Sequence, residues 1–166
     1  DEIRWAMGID SYPVLVSSSG GRFHFEDDWE FFDTQTVRFK YEDRKMIVWD
    51  GKSCNGPSSG PGAIIYGCDG CMILSRSSYK VFDREGNPGT SSEEDIEEAD
   101  DLQAGGDVTD AHMHDFLEAI QNNSQNNAPI DEIQKSNVLC HLGNISQFLG
   151  RKLRTNPKNG RILGDG

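Results

Sequence analysis

The sequence predicts an α+β fold: an open-faced, mostly antiparallel β-sheet with two helices packed on one face. Three observations carry this. Apolar residues recur with a period of two between Pro13 and Asp83. No helical pattern separates the successive strands there, so the crossovers that a parallel sheet needs are missing. After an acidic stretch the period changes to that of a helix.

Asp1 to Gly8, DEIRWAMG, reads as the last two turns of a helix. Ile3, Met7 and Ala6 share its inner face with Trp5 near the edge, and Gly8 supplies the stop. Val14 to Ser18 reads as a strand, interrupted by Gly20 and Gly21 before a further extended piece, Arg22 to Phe25. Thr34 to Tyr41 alternates cleanly, with Val37, Phe39 and Tyr41 on one side and Thr36, Arg38 and Lys40 on the other. Glu42-Asp43-Arg44 turns the chain into Lys45 to Trp49, an antiparallel hairpin with one wet face. Asp50 to Gly62 is a Gly/Pro/Ser-rich loop. Ala63 to Tyr66 and Cys71 to Leu74 form a second hairpin around Gly67 to Gly70, and Tyr79 to Phe82 closes a set of about six strands.

Two amphipathic helices follow. In Val108 to Ile120, His112, Met113, Phe116, Leu117 and Ile120 fall at helical spacing, with Asp107 or Thr109 as N-cap. Asn122 to Asn127 is a polar break. Asp131 to Gly150 carries Val138, Leu142, Ile145 and Phe148 or Leu149 inward. Arg151 and Lys152 suit the negative end of its dipole.

The 166 residues suit one domain, spanning 1–166, that buries roughly 70% of its unfolded surface. The 28 acidic and 16 basic residues leave a net charge of −12, which argues against a nucleic-acid or anionic-membrane surface. Seven of the acids lie in Ser91 to Asp101, SSEEDIEEADD, within an acidic loop at 84–106. The expected reading is a solvated, self-repelling loop rather than a metal or cationic-partner site. No window approaches the length of a membrane span. The N-terminus has no basic and apolar regions of a signal peptide. Neither end stops on a structural signal, so an excised fragment is expected.

The motifs that carry chemistry are sparse. Cys68-Asp69-Gly70-Cys71 has CxxC spacing, but it sits in a hairpin turn without a second pair, and Cys54 and Cys140 stand apart. That suits free thiols better than a disulfide, a zinc knuckle or a redox pair at a helix start. His112 and His114 point about 200° apart on a helix and cannot chelate one ion, whereas Asp110 and His114 share a face. His112 is expected to pack on the sheet, and His141 to serve the core or helix packing. His24, followed by Glu26, Asp27 and Asp28, is the better binding candidate by neighbourhood. There is no GxGxxG after a strand, no GxxxxGK[ST] and no GxSxG. Asn122-Asn123-Ser124 and Asn144-Ile145-Ser146 fit the glycosylation pattern, the second inside a helix.

In order along the chain, DEIRWAMGID, SSSGGRFHFEDDWEFFDTQTVRFKY, WDGKSCNG, IIYGCDGCMIL, GGDVTDAHMHDFLEAI, PIDEIQKSNVLCHLGNIS and GRKLRTNPKNGRIL resemble the C-terminal domain of the Gfo/Idh/MocA oxidoreductases, in their bacterial subgroup. The resemblance covers nearly the whole chain. It implies a parent with an N-terminal Rossmann domain that binds NAD or NADP and carries a catalytic Lys in a Glu-Lys-Pro motif, neither of which this sequence contains. It implies a catalytic His three residues before the position matching Asp1, outside this chain. The CxxC and the acidic stretch depart from the family pattern.

The implied role is substrate-side and oligomerisation domain of an NAD(P)-dependent sugar or polyol oxidoreductase, with no catalytic residue, cofactor or metal of its own. Its partners would be the missing Rossmann domain, a sugar or polyol, and further copies through the open sheet face. Residues suited to sugar hydroxyls are His24, Asp27, Trp29 and Glu30 in the first loop, Lys52 and Asn55 in the Gly-rich loop, and His112 on its helix. Trp29 could also stack on a sugar face. Two other readings stand beside this one. One is a pure interaction module that self-associates through the row of Val37, Phe39 and Tyr41 or the opposite row. The other is a domain of an NAD-dependent glycosidase. Cytoplasm and bacterial periplasm both suit the cysteine usage.

Overall fold

The computed structural model describes residues 1–54, 62–75, 78–91 and 104–164, with the side chains of 104–108 excepted. Asn55 and the acidic run beyond Ser91 lie outside the described residues. The expected class is observed: open, antiparallel sheets with helices. The strands divide between two four-stranded sheets, and the chain forms two compact units, residues 1–60 with 133–166, and residues 61–132.

The first unit opens with α1 (Glu2–Ala6). Gly8 takes a left-handed φ of 59°, and the Ile9 N–H returns to the Arg4 carbonyl at 2.8 Å, which ends the helix as Gly8 foretells. The inner face of α1 differs from the expected one. Arg4 is its buried residue, 2% exposed, while Trp5 and Ala6 face water. The Arg4 guanidinium donates to Ser136 Oγ at 3.0 Å and to the Ile9 carbonyl at 3.3 Å, so burial leaves it hydrogen-bonded.

Strands β1 (Leu15–Gly21), β2 (Thr34–Lys40), β3 (Met46–Lys52) and the short β8 (Leu153–Arg154) form the first sheet in the order β3-β2-β1-β8. Gly20 and Gly21 continue β1 rather than interrupt it, and Arg22 to Phe25 is not a strand. The reason is close approach. A Cβ on Gly20 would lie 2.2 Å from the Thr34 carbonyl oxygen, so the ladder closes there only with glycine. The β2–β3 turn places Arg44 at φ 63°, with Asp43 and Lys45 paired at 2.8 Å.

Helix α3 (Ile130–Leu149) covers one face of this sheet. The core consists of Ile9, Val16, Val37, Phe39, Tyr41, Leu142 and Leu153, with Met7, Ile47, Val138 and Leu139 packed against it. Gly143 sits over Val37, where a Cβ would come within 3.2 Å of both Val37 methyls, so the glycine lets helix and sheet approach closely. Ser146 is buried too, accepting the Ser18 N–H at 3.1 Å and donating to the Arg151 carbonyl at 2.9 Å. The inward stripe is therefore Val138, Leu142 and Ser146 beside Leu139 and Gly143. Ile145, Phe148 and Leu149, expected inward, are exposed, and so is His141. The row of Val37, Phe39 and Tyr41 lies under α3, and on the opposite row Arg38, Lys40, Met46 and Val48 are exposed and Thr36 is half-buried.

The second unit holds the meander β4 (Ala63–Tyr66), β5 (Gly70–Leu74), β6 (Tyr79–Asp83) and β7 (Pro88–Ser91), and α2 (Ala104–Asn122). Strand β7, unexpected from its Pro-Gly start, is an exposed edge, where proline costs no ladder bond. The β6–β7 turn is built on Asp83, whose carboxylate accepts the Glu85 and Asn87 N–H groups at 3.0 and 2.7 Å, with Gly86 at φ 85°. Helix α2 starts at Ala104, so Asp107 and Thr109 lie inside it rather than at an N-cap. Its apolar stripe of Met113, Phe116, Leu117 and Ile120 is exposed, against the expectation that it packs inward, and His112 is exposed as well. All four cysteines are free thiols. Among the described residues, no helix is long and apolar enough to cross a membrane, and no group of three or more His, Cys, Asp or Glu side chains could hold a metal ion.

Candidate functional site

The loop of residues 22–33 joins β1 to β2 beyond their last ladder pair, Gly21 with Thr34. Its sequence, RFHFEDDWEFFD, holds five aromatic residues and His24. Two charged side chains organise it. The Asp33 carboxylate, in a residue only 5% exposed, accepts the backbone N–H of His24 at 2.9 Å, of Phe23 at 3.0 Å and of Phe25 at 3.1 Å, and the Thr34 hydroxyl at 3.0 Å. The His24 N–H foremost, with those of Phe23 and Phe25, holds the Asp33 carboxyl far below the usual carboxylate range, against the opposing effect of burial. Arg22 gathers the rest. Its guanidinium donates to the carbonyls of Phe25 at 2.8 Å, Phe31 at 3.3 Å and Trp29, and to the Asp27 carboxylate at 2.6 Å. Asp27 also accepts the Trp29 N–H at 2.8 Å, and that bond, then Arg22, lowers its pKa.

With the backbone polar groups turned inward, the side chains turn out. Phe23 is 74% exposed and Trp29 69%, with Phe25 and Phe31 also exposed. Trp29 and Phe31 lie 6.5 Å apart by ring centroid, and Phe31 and Phe32 meet Phe148 of α3 at 6.2 and 5.1 Å. The His24 ring stands edge-on to Phe25 at 4.8 Å. A cavity of about 240 Å³ opens among Arg22, Phe25, Asp27, Trp29, Phe31 and Phe32. Ser53 also lines it, and its N–H bonds the Asp33 carbonyl at 2.8 Å.

The structure thus brings His24, Asp27, Trp29 and Glu30 onto one loop, all exposed. Lys52 stands at the loop's base, opposite Thr34 in the ladder, and pairs with Asp50 at 2.8 Å, which raises its pKa. Asn55 falls outside the described residues. His112 belongs to the second unit and is not part of this loop. The sequence pattern did not single out Arg22 and Asp33, the two residues that shape the site. Their signal was a charge at each end of an aromatic-rich segment that does not alternate.

A larger hollow of about 400 Å³ lies between α3, α1 and the sheet, lined by Ile3, Val37, Trp49, Leu139, Cys140 and Gly143 among others. The polar groups beside it are turned to neighbours: Arg4 as described, and the Gln35 amide toward Ser18 Oγ at 2.9 Å. It can accept apolar surface, whereas the 22–33 loop carries both apolar faces and groups able to bond hydroxyls.

Comparison with known proteins supports the fold class and adds a context. No protein-family model matches the sequence, and no curated protein is similar to it in sequence. Among solved structures, the chain is similar to an oxidoreductase from Agrobacterium radiobacter crystallised with NAD+, L-tartaric acid and magnesium, at 13% identity and TM-score 0.62, covering 91% of this chain and 45% of that one. Chains from Thermotoga maritima (17% identity, TM-score 0.60, 90% and 42% covered) and Klebsiella pneumoniae (13%, 0.60, 98% and 48%) carry an oxidoreductase assignment only. The chain spans a little under half the length of these neighbours. The likeness shows a fold shared with one part of each neighbour.

Proposed function

We propose that the chain is the substrate-side and oligomerisation domain of an NAD(P)-dependent sugar or polyol oxidoreductase of the Gfo/Idh/MocA type, and that it does not catalyse alone. The observation that carries this is the structural match of nearly the whole chain to less than half of oxidoreductase chains, one of them crystallised with NAD+. The lack of any Gly-rich nucleotide fingerprint in the sequence supports the same division of labour. In such a parent the cofactor takes the hydride, a base of suitable pKa takes the hydroxyl proton, and this domain orients the substrate. Trp29 offers a flat face to a sugar ring. His24, Asp27, Glu30 and Lys52 offer hydroxyl partners from the same end of the first sheet.

Calorimetry of this polypeptide with NAD and NADP tests the assignment. Neither should bind measurably, and tight binding of either overturns it.

A second reading, a pure interaction module, draws support from Met46 and Val48, which stand exposed on the sheet face opposite α3. Sedimentation discriminates the association both readings share: dimers or higher species are expected, and a strict monomer at high concentration counts against either.

A further inference from the structure

We propose that Asp33 and Arg22 are the positioning residues of this site: they hold the 22–33 loop open, so that Trp29 and its neighbouring rings face outward before any ligand arrives. The inference deepens the substrate-side reading of the same loop and rests on it for the identity of the ligand.

A segment with five aromatic residues in twelve would lower its free energy in water by folding those rings against itself. Here Phe23, Phe25 and Trp29 stay exposed, and Phe31 and Phe32 meet Phe148 of α3. Three successive backbone N–H groups, of Phe23, His24 and Phe25, converge on one point, a concavity suited to an anion. The Asp33 carboxylate fills that point from the far end of the loop, at 2.9 to 3.1 Å from each nitrogen. The Arg22 guanidinium does the complementary task from the near end, collecting the carbonyls of Phe25, Trp29 and Phe31. Phe25 is held by both charges, its N–H by Asp33 and its carbonyl by Arg22. Trp29 is held at both its peptide groups, the N–H by Asp27 and the carbonyl by Arg22, and Asp27 is itself paired to Arg22. The backbone at Phe23 to Phe25 and at Trp29 is thus spent on charged side chains, and the rings of Phe23, Phe25 and Trp29 are left facing outward, while Phe31 and Phe32 meet Phe148 of α3. Ordering the loop beforehand removes an entropic cost that a ligand would otherwise meet on binding.

The experiment uses the full 166-residue chain, labelled with nitrogen-15. The amides of Phe23, His24 and Phe25 should titrate together on acidification, with a midpoint well below the ordinary carboxylate value of about 3.9. In Asp33→Asn their hydrogen exchange should rise roughly tenfold or more, as expected when charge-assisted bonds to a carboxylate are lost. The Trp29 indole cross-peak, assigned by its loss in Trp29→Phe, should move in Asp33→Asn and in Arg22→Lys. In Asp33→Ala, added formate should restore slow exchange at the same three amides, and chloride at equal ionic strength should not. A lost fold would not mimic that rescue.

Unchanged exchange and an unmoved indole peak in Asp33→Asn would overturn the proposal. So would three amides that titrate at the ordinary midpoint. Titration of the wild-type chain with D-glucose and myo-inositol is the separate check on the substrate reading. Failure of both sugars to perturb Trp29 would count against that reading, while the role of Asp33 is decided by the three amides alone.

Discussion

The two units use the same kind of strand and reach different interiors. In the first, β2 alternates Gln35, Val37 and Phe39 toward α3, Tyr41 just beyond the strand continues the row, and these side chains are buried. In the second, β5 carries Cys71, Met72, Ile73 and Leu74, all only half-buried, and none of the described residues from 62 to 132 is fully buried. The difference is in what the helix of each unit presents. Helix α3 presents Gly143 and Ser146 between its larger residues, so its axis comes close enough to expel water from Val37 and Val16. Helix α2 presents Met113, Phe116, Leu117 and Ile120 along a stripe that remains exposed. Alternation alone makes a strand, and a dry core also needs a complementary surface at van der Waals distance.

The largest expected effect comes from removing that complementary surface. Leu142→Ala should lower the unfolding free energy by about 3 kcal/mol, and Phe39→Ala by about 4 kcal/mol, because each leaves a cavity in a closed core. Ile73→Ala in β5 should cost about 1 kcal/mol, since its surroundings are already partly open to water. Urea titrations of the three variants give the comparison directly, and equal losses would erase the distinction between the units. Gly143→Ala adds a methyl where 3.2 Å is available to Val37, so it should cost about 1–2 kcal/mol by overpacking.

Tyr41 sharpens the comparison from inside the first core. Burial, ahead of the opposing influence of Arg4, pushes its phenol up to about 12. Its hydroxyl is buried and has no hydrogen-bond partner among the described residues. The folded state therefore holds the phenolic proton more tightly than the unfolded chain, whose tyrosines ionise near about 10. That contribution to stability is complete below about pH 10 and is lost as the pH rises toward 12. Tyr41→Phe should remove this alkaline decline. It should also raise stability at neutral pH by about 1 kcal/mol, because the unbonded hydroxyl is no longer desolvated. Thermal melts at neutral pH and at about pH 11 would show it, and a destabilised Phe variant at neutral pH would mean that the hydroxyl has a partner.

The acid side belongs to Asp33. Its folded pKa is depressed, so its contribution is present above the unfolded carboxylate value of about 3.9 and fades as the pH falls through the lower folded value. The gap in melting temperature between wild type and Asp33→Asn should accordingly narrow on acidification below about pH 4.

What could be read from the sequence follows the same physics. The strand Thr34–Lys40 was legible because a period of two survives where one face is buried, and Ala63–Tyr66 and Gly70–Leu74 were legible as short apolar runs around a turn. The core row of Val37, Phe39 and Tyr41 was legible as a row, and so were Val138 and Leu142 of the helix that meets it, whereas Gly143 and Ser146 were not, because a glycine and a serine leave no apolar signal. The run through Gly20 and Gly21 suggests a break and is in fact extended, since glycine marks a close approach as readily as a turn. The 22–33 loop stood out in the sequence as a candidate site through His24, Asp27 and Trp29. Its architecture did not, because the bonds that set it join Asp33 and Arg22 to backbone groups up to ten residues away, which leave no trace in side-chain periodicity.

The smallest expected effect is the most informative about α2. By spacing alone, Met113, Phe116, Leu117 and Ile120 form the stripe of a core-facing helix, and Leu117→Gln in a closed core would cost several kcal/mol. By their exposure, the same replacement should change the unfolding free energy by less than about 0.5 kcal/mol. The variant should also reduce binding of a hydrophobic dye to the native chain, because it removes one side of an exposed apolar stripe. A loss above about 2 kcal/mol would show that the stripe is buried in solution, and the second unit would then have a core of the same kind as the first.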